Sequence, residues 1–216
     1  MYRVIQYLCF IGGDNIPTTT KITKEMILNA AFQITKTDGF DKVSNRTIAK
    51  KLNSSIRPIY YQFKNVDELN KELYTMISKY FYKYIMNDIE TSPLPYKQIG
   101  INYINFAKKE NKLFQLLFMS DNKNFMETLT KQKDEFTKIL DIIKKYTKLR
   151  SEVVENFHTK IWIFTHGIAT LVANNTIDLT DEEISKLLSY EFQVHMLLKE
   201  NTNNKWSNLG WHNEIQ

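Results

Sequence analysis

Between residues 56 and 64 the chain reads Ile-Arg-Pro-Ile-Tyr-Tyr-Gln-Phe-Lys, a set of side chains able to read the edges of nucleic-acid bases. An arginine guanidinium donates two parallel hydrogen bonds to guanine, a glutamine amide pairs with adenine, and apolar edges meet the thymine methyl. On a helix, Ile56, Ile59, Tyr60 and Phe63 take the i, i+3, i+4, i+7 spacing of one face. They cannot all face water. Ile59 and Phe63 are expected to dock on a neighbouring helix, leaving Arg57, Pro58, Tyr61 and Gln62 outward. Pro58 limits where this helix begins, because a proline is tolerated in the first turn, where its missing N–H has no intrahelical partner to lose.

A helix this short needs other elements to hold it. Ser44 is placed to cap a preceding short helix through Arg46, Ile48, Ala49 and Leu52, and Asn53-Ser54-Ser55 forms a turn with a new cap built in. Two short helices joined in this way make a helix-turn-helix, with the second helix in the major groove and the first across the backbone. The N-termini of both offer free N–H groups to phosphates. Upstream, Thr23 caps a helix whose apolar residues Ile22, Met26, Ile27, Ala30, Ala31 and Ile34 follow a 3.6 period. Asp38-Gly39 ends it, Gly39 suiting a left-handed terminal position and Phe40 folding back as an apolar stop. Downstream, Asn65 and Glu68 resemble a capping box that opens a long helix, 66–90, with Leu69, Leu73, Met76, Ile77, Tyr80, Phe81 and Tyr84 on one face.

Charge points the same way. The chain carries a net charge of +5, and residues 21–71 hold ten Lys/Arg against five acids, so the remainder is balanced. A domain that concentrates the whole basic excess is built to face a polyanion.

Composition sets the fold class. With 43% hydrophobic and 25% charged residues the chain can bury an ordinary core, whereas 6 glycines and 4 prolines are too few for the tight turns of a β-rich protein. The expectation is an all-α protein. Thr91-Ser92-Pro93-Leu94-Pro95 breaks the chain, and helices are expected over 95–109, 111–119, 123–147, 151–174 and 181–200, the last opened by a Thr180/Glu183 capping box. The domains are then an N-terminal arm over 1–20 (or a misassigned start), a three-helix head over 21–68, a helical body over 69–200, and a polar tail over 201–216 with Trp206 and Trp211.

Several function classes find no support. The single cysteine, Cys9, cannot close an internal disulfide, which fits a reducing cytoplasm. No apolar run reaches the ~18 residues of a membrane span. Val4 to Gly13 resembles a signal peptide, but Gln6 and Tyr7 interrupt its apolar run and no cleavage site follows. His158, His166, His195 and His212 lack metal-ligand spacing. Phosphate loops, nucleophile elbows and paired carboxylates are also missing, so neither catalytic residues nor a cofactor nor a metal is expected.

The stretches Ile48-Ala49-Lys50-Lys51-Leu52, Ile59-Tyr60-Tyr61-Gln62-Phe63-Lys64-Asn65 and Glu68-Leu69 resemble the head of the TetR family of bacterial repressors. The resemblance implies a DNA-binding head, a ligand-binding helical body and a homodimer on double-stranded operator DNA. By position it places backbone contacts on Asn45 and Arg46, groove contacts on Ile56, Arg57, Pro58 and Tyr61, and Tyr60 and Gln62 near phosphate. Asn53 and Ser54 stand where glycine and an aliphatic residue are usual, which Asn tolerates through its ease in left-handed geometry. Val66 replaces the usual lysine, and Lys64 is placed to supply that charge. Trp162-Ile163-Phe164-Thr165-His166-Gly167 is similar to a W-x3-HG pattern of one subgroup, in which this helix lies near the dimer interface. His166, Gly167, Thr170, Phe192 and His195 are therefore candidate interface residues.

The body is rich in large apolar side chains. Phe106, Phe114, Phe118, Phe136 and Trp162 are candidates to line a pocket for an apolar or aromatic effector, and plain helical core is the competing reading. The resulting expectation is a cytoplasmic regulator, a repressor released from a palindromic operator when a small molecule pivots helix 66–90. Its rival is a helical DNA-binding or adaptor protein without an effector.

Overall fold

The computed structural model describes residues 21–120 and 133–197, and within them nine α-helices and one 3₁₀ turn, with no strand. The expected arm, the first part of helix 123–147, the end of helix 181–200 and the tail with both its tryptophans lie outside the described residues.

The head is α1 (Lys24–Asp38), the 3₁₀ turn (Phe40–Lys42), α2 (Asn45–Lys51) and α3 (Arg57–Gln62). Its helices start where local chemistry tells them to. Thr23 Oγ1 accepts from the Met26 N–H at 3.2 Å. Ser44 and Thr47 close a reciprocal capping box, with Ser44 Oγ taking the Thr47 N–H at 3.2 Å and Thr47 Oγ1 the Ser44 N–H at 2.9 Å. Gly39 ends α1 at φ 99°, ψ 159°. Its φ is positive as expected, but its ψ is extended, a region that only glycine enters readily, and Phe40 beyond it packs against the core. Asn53 sits at φ 49° and makes the left-handed bend of the turn. The cap expected in that turn does not form, because Ser54 Oγ donates to the Ser55 carbonyl and Ile56 precedes α3 with no side-chain cap.

The body comprises α4 (Val66–Ile85), α5 (Pro95–Lys109), α6 (Asn111–Phe118), α7 (Lys133–Thr147), α8 (Ser151–Ala173) and α9 (Asp181–Leu197). Asn65 Oδ1 caps α4 through the Glu68 N–H at 2.8 Å, while the Glu68 carboxylate reaches back to the Lys64 N–H at 2.7 Å. α4 ends at Ile85, short of the expected residue 90. Asn102 of α5 takes over the last carbonyls, its Nδ2 donating to Ile85 O at 3.1 Å and Asn87 O at 2.8 Å, and Asp88 turns left-handed at φ 58°. The Thr180/Glu183 box at the start of α9 forms as expected.

α5 is the central helix of the body, packed against α4, α8 and α9. Its Gly100 lets α9 approach closely, since a Cβ there would stand 3.0 Å from Leu188 Cδ1. α1 joins the head to the body by packing on both α4 and α6. No described helix is long and apolar enough to cross a membrane.

Candidate nucleic-acid interface

Six residues cannot make a stable helix by themselves, so α3 exists because of what it is docked on. Ile59 is 2% exposed and Phe63 is equally buried, both in the core that α1 contributes to. Lys24 Nζ lies 4.9 Å from the centre of the Phe63 ring, and Lys24 also pairs with Glu72 of α4. With that face held inward, the opposite face is free. Tyr61 is 86% exposed, and Arg57, Tyr60 and Ile56 are exposed beside it. Ile56 and Tyr60 thus lie outside the buried face that their spacing allowed, and they widen the apolar part of the free surface. Pro58 is half-buried at the first turn.

Gln62 is different. Its side chain is half-buried and its Nε2 donates to the Ile22 carbonyl at 3.3 Å, tying the end of α3 to the residue that precedes the α1 cap. The outward, adenine-reading position expected for Gln62 is therefore corrected. The reason is tertiary: the partner is 40 residues away and no local pattern announces it.

Around this face stand exposed cations. Arg46, Lys50 and Lys51 project from α2 and Lys64 from the link to α4, while Asn45 is half-buried in the first turn of α2. Val66 is exposed at the start of α4. The arrangement presents one guanidinium and two phenol rings forward with ammonium groups at the flanks, which suits hydrogen bonding and stacking at base edges between phosphate contacts.

In the body four of the expected pocket residues are packed in or against the core, and Phe136 is exposed. Phe106 and Phe114 are fully buried, and Phe81 gathers Phe106, Phe118 and Tyr103 around it at ring separations of 5.1, 5.2 and 5.5 Å. Trp162 stacks on His166 at 5.1 Å, and the Tyr103 hydroxyl meets His166 Nδ1 at 2.9 Å. Phe136 belongs elsewhere, 5.5 Å from His158, whose Nδ1 meets the Tyr96 hydroxyl at 2.9 Å. Burial holds both imidazoles below the ordinary histidine range, His158 down to about 4. An open cleft of about 430 Å³ lies instead where the head meets the body, between Gly39–Asp41 and α6, with Lys112, Gln115, Leu116, Met119, Ser120 and Asn174 completing it. None of the five candidate rings lines it.

The candidate interface residues divide. Gly167 is exposed, with open space where a Cβ would project. His166 points inward to Tyr103, Phe192 packs on Phe157 at 5.5 Å, and His195 is half-buried with its Nδ1 3.1 Å from the Glu191 backbone carbonyl. Each of these three is half-buried and has a contact within its own chain, and Thr170 is half-buried too. The free apolar surface is carried by Ile163 and Leu171, which share the Gly167 stripe at i−4 and i+4, and on α9 by Tyr190, Val194 and Leu197. The i, i+4, i+8 spacing would have revealed them. The aromatic and histidine signal masked it.

No profile of a known protein family matches the chain, and no curated protein does. Solved structures do. A protein from Pseudomonas aeruginosa PAO1, assigned as a transcriptional regulator, superposes with a TM-score of 0.60 over 82% of this chain and 92% of its own, at 11% identity. A protein from Vibrio parahaemolyticus, assigned as a TetR-family transcriptional regulator, gives 0.60 over 79% and 96%, at 18% identity. The chain therefore has the all-helical fold seen in a TetR-family structure.

Proposed function

We propose that this chain is a DNA-binding transcriptional regulator that works in the cytoplasm as a homodimer on a palindromic operator. The observation that carries the reading is α3, which buries Ile59 and Phe63 and leaves Arg57, Tyr60 and Tyr61 facing away from the protein within the basic segment. Nothing among the described residues of the head explains that face as structure. A reading helix in a major groove does, and two of them about 34–36 Å apart would meet successive half-sites.

Dimerisation through α8 and α9 is supported by the uncovered Ile163, Gly167 and Leu171 stripe and by Tyr190 and Val194. The finer placement in the W-x3-HG subgroup rests on Trp162 and His166, which stack, with Gly167 on the free side. Repression relieved by an apolar or aromatic effector is the regulatory part of the proposal. It is supported by the Tyr103–His166 and Tyr96–His158 pairs, which set placed polar groups among aromatic rings, as in a ligand site. Such a ligand must part the rings to enter, and a coupling of about 1–3 kcal/mol between body and head would suffice to release the operator.

The test is footprinting on the DNA flanking the gene, followed by titration of the protected fragment. Arg57→Ala and Tyr61→Ala should abolish the preference for that fragment over unrelated DNA. Arg46→Ala should weaken both and reduce the salt slope by about one. Unchanged binding in Arg57→Ala and Tyr61→Ala alike would remove the assignment, and no protected fragment at all would favour an adaptor.

A further inference from the structure

One charge in the described protein is withdrawn from water across the joint between head and body. Glu110, where α5 ends and α6 begins, has a side chain only 8% exposed. Its Oε1 accepts from Lys36 Nζ at 2.5 Å and from the Tyr80 hydroxyl at 2.8 Å. Its Oε2 is buried with no hydrogen-bond partner. Lys36 stands in the last turn of α1, and Tyr80 in α4 lies between, its ring 5.2 Å from Phe32 of α1 and 6.1 Å from Phe106 of α5. Lys36 Nζ also lies 5.4 Å over the Tyr80 ring. Glu110 in turn raises the proton affinity of Lys36, chiefly through their hydrogen bond.

A carboxylate in this position tolerates little movement of its cation. Surface pairs slide, because water replaces whatever is lost, and the Lys24 link to Glu72 and Glu68 is of that kind, with about a third of each side chain exposed. Here Lys36 is itself about a third exposed, but Glu110 is buried with one oxygen already unpartnered, so displacing α1 leaves its carboxylate with the Tyr80 hydroxyl alone. The angle of α1 on the body therefore has a narrow optimum. α1 also carries the reading helix, through Ile59, Phe63 and the Gln62 bond to Ile22 at its other end. Fifteen residues make a rod of about 22 Å, so a tilt of about 10° at Lys36 moves the Ile22 end by about 4 Å, more than a hydrogen bond to a base edge allows.

We infer that Lys36, Glu110 and Tyr80 are positioning residues that set the angle of the head on the body, and with it the half-site separation the dimer accepts. The inference rests on the DNA-binding reading above. It says nothing of base preference, which belongs to α3.

The experiment uses the full chain and operators whose half-sites are moved apart or together by single base pairs. The native protein should bind one spacing best, by about tenfold over its neighbours. Glu110→Gln and Lys36→Met should reduce that preference to about threefold or less, with binding to an isolated half-site unchanged and the helical circular-dichroism signal retained. A variant that keeps the native spacing profile, or that loses the half-site equally with every spacing, overturns the inference. Failure of the native chain to select any operator would instead strike the DNA-binding reading. The latch is then tested without DNA, by the distance distribution between spin labels at Lys51→Cys in the head and Glu182→Cys in the body of a Cys9→Ser chain diluted with unlabelled protein. Glu110→Gln should broaden that distribution, and an unchanged width refutes the latch.

Discussion

Ile59→Ala is the substitution that most directly tests how the reading helix is held. Helices shorter than about 12–15 residues are marginal in water, and α3 has six residues, so its geometry depends on its docked face. Ile59 is 2% exposed and its loss to alanine removes three buried carbons. The transfer contribution is about 0.8 kcal/mol per carbon, and the cavity left behind raises the total to about 3 kcal/mol, within the 2–5 kcal/mol usual for such truncations. Tyr61→Ala, at a site 86% exposed, should change stability by no more than about 0.5 kcal/mol. Urea denaturation gives both values, and titration of operator and unrelated DNA gives the functional consequence. Ile59→Ala should lower the unfolding midpoint and weaken binding to every sequence, because the whole helix loses its seat. Tyr61→Ala should leave the midpoint in place and lose selectivity. Should Ile59→Ala cost less than about 1 kcal/mol, or Tyr61→Ala cost as much as Ile59→Ala, the division of α3 into a docked face and a free face would be wrong.

Three further outcomes follow from single residues. Burial depresses His158 to about 4 from 6.5, so between those values the unfolded chain binds a proton that the folded chain refuses, and stability falls as pH drops through that window. The loss approaches about 3 kcal/mol at its lower end, and His158→Gln should flatten it; parallel native and variant stabilities from pH 7 to pH 4.5 would refute this. Gly39→Ala should destabilise by about 1–3 kcal/mol in thermal unfolding, since φ 99° with ψ 159° is costly for any L side chain and the new Cβ would stand 2.8 Å from Asp41 Oδ1; an unchanged Tm counts against it. A Cβ at Gly167 has no described atom within 4 Å, so Gly167→Arg should leave the monomer folded while shifting sedimentation from dimer to monomer, and a dimer of native strength would locate the interface elsewhere.

What the sequence determined by itself was local. Helix starts at Thr23, Ser44, Asn65 and Thr180 were legible because a cap bonds an N–H three residues on, and that relation is written in adjacent residues. The all-α class, the place of Pro58 and the buried pair Ile59 and Phe63 followed from composition and a 3.6 period in the same way. Where a partner is distant, pattern gave no guide. Gln62 looked like a base reader until its amide was found on Ile22, and the Lys36–Glu110 pair joins residues 74 apart. Phe106 and Phe114 have the same composition signature in a pocket or a core, and only the packing of α4, α5, α6 and α8 around them made them core. α8 shows the limit most clearly. It carries apolar residues on several faces, so periodicity could not say which one the chain covers. The fold turned His166 toward Tyr103 and left Ile163, Gly167 and Leu171 outside, because α5 takes up one side of α8 and nothing among the described residues covers the other.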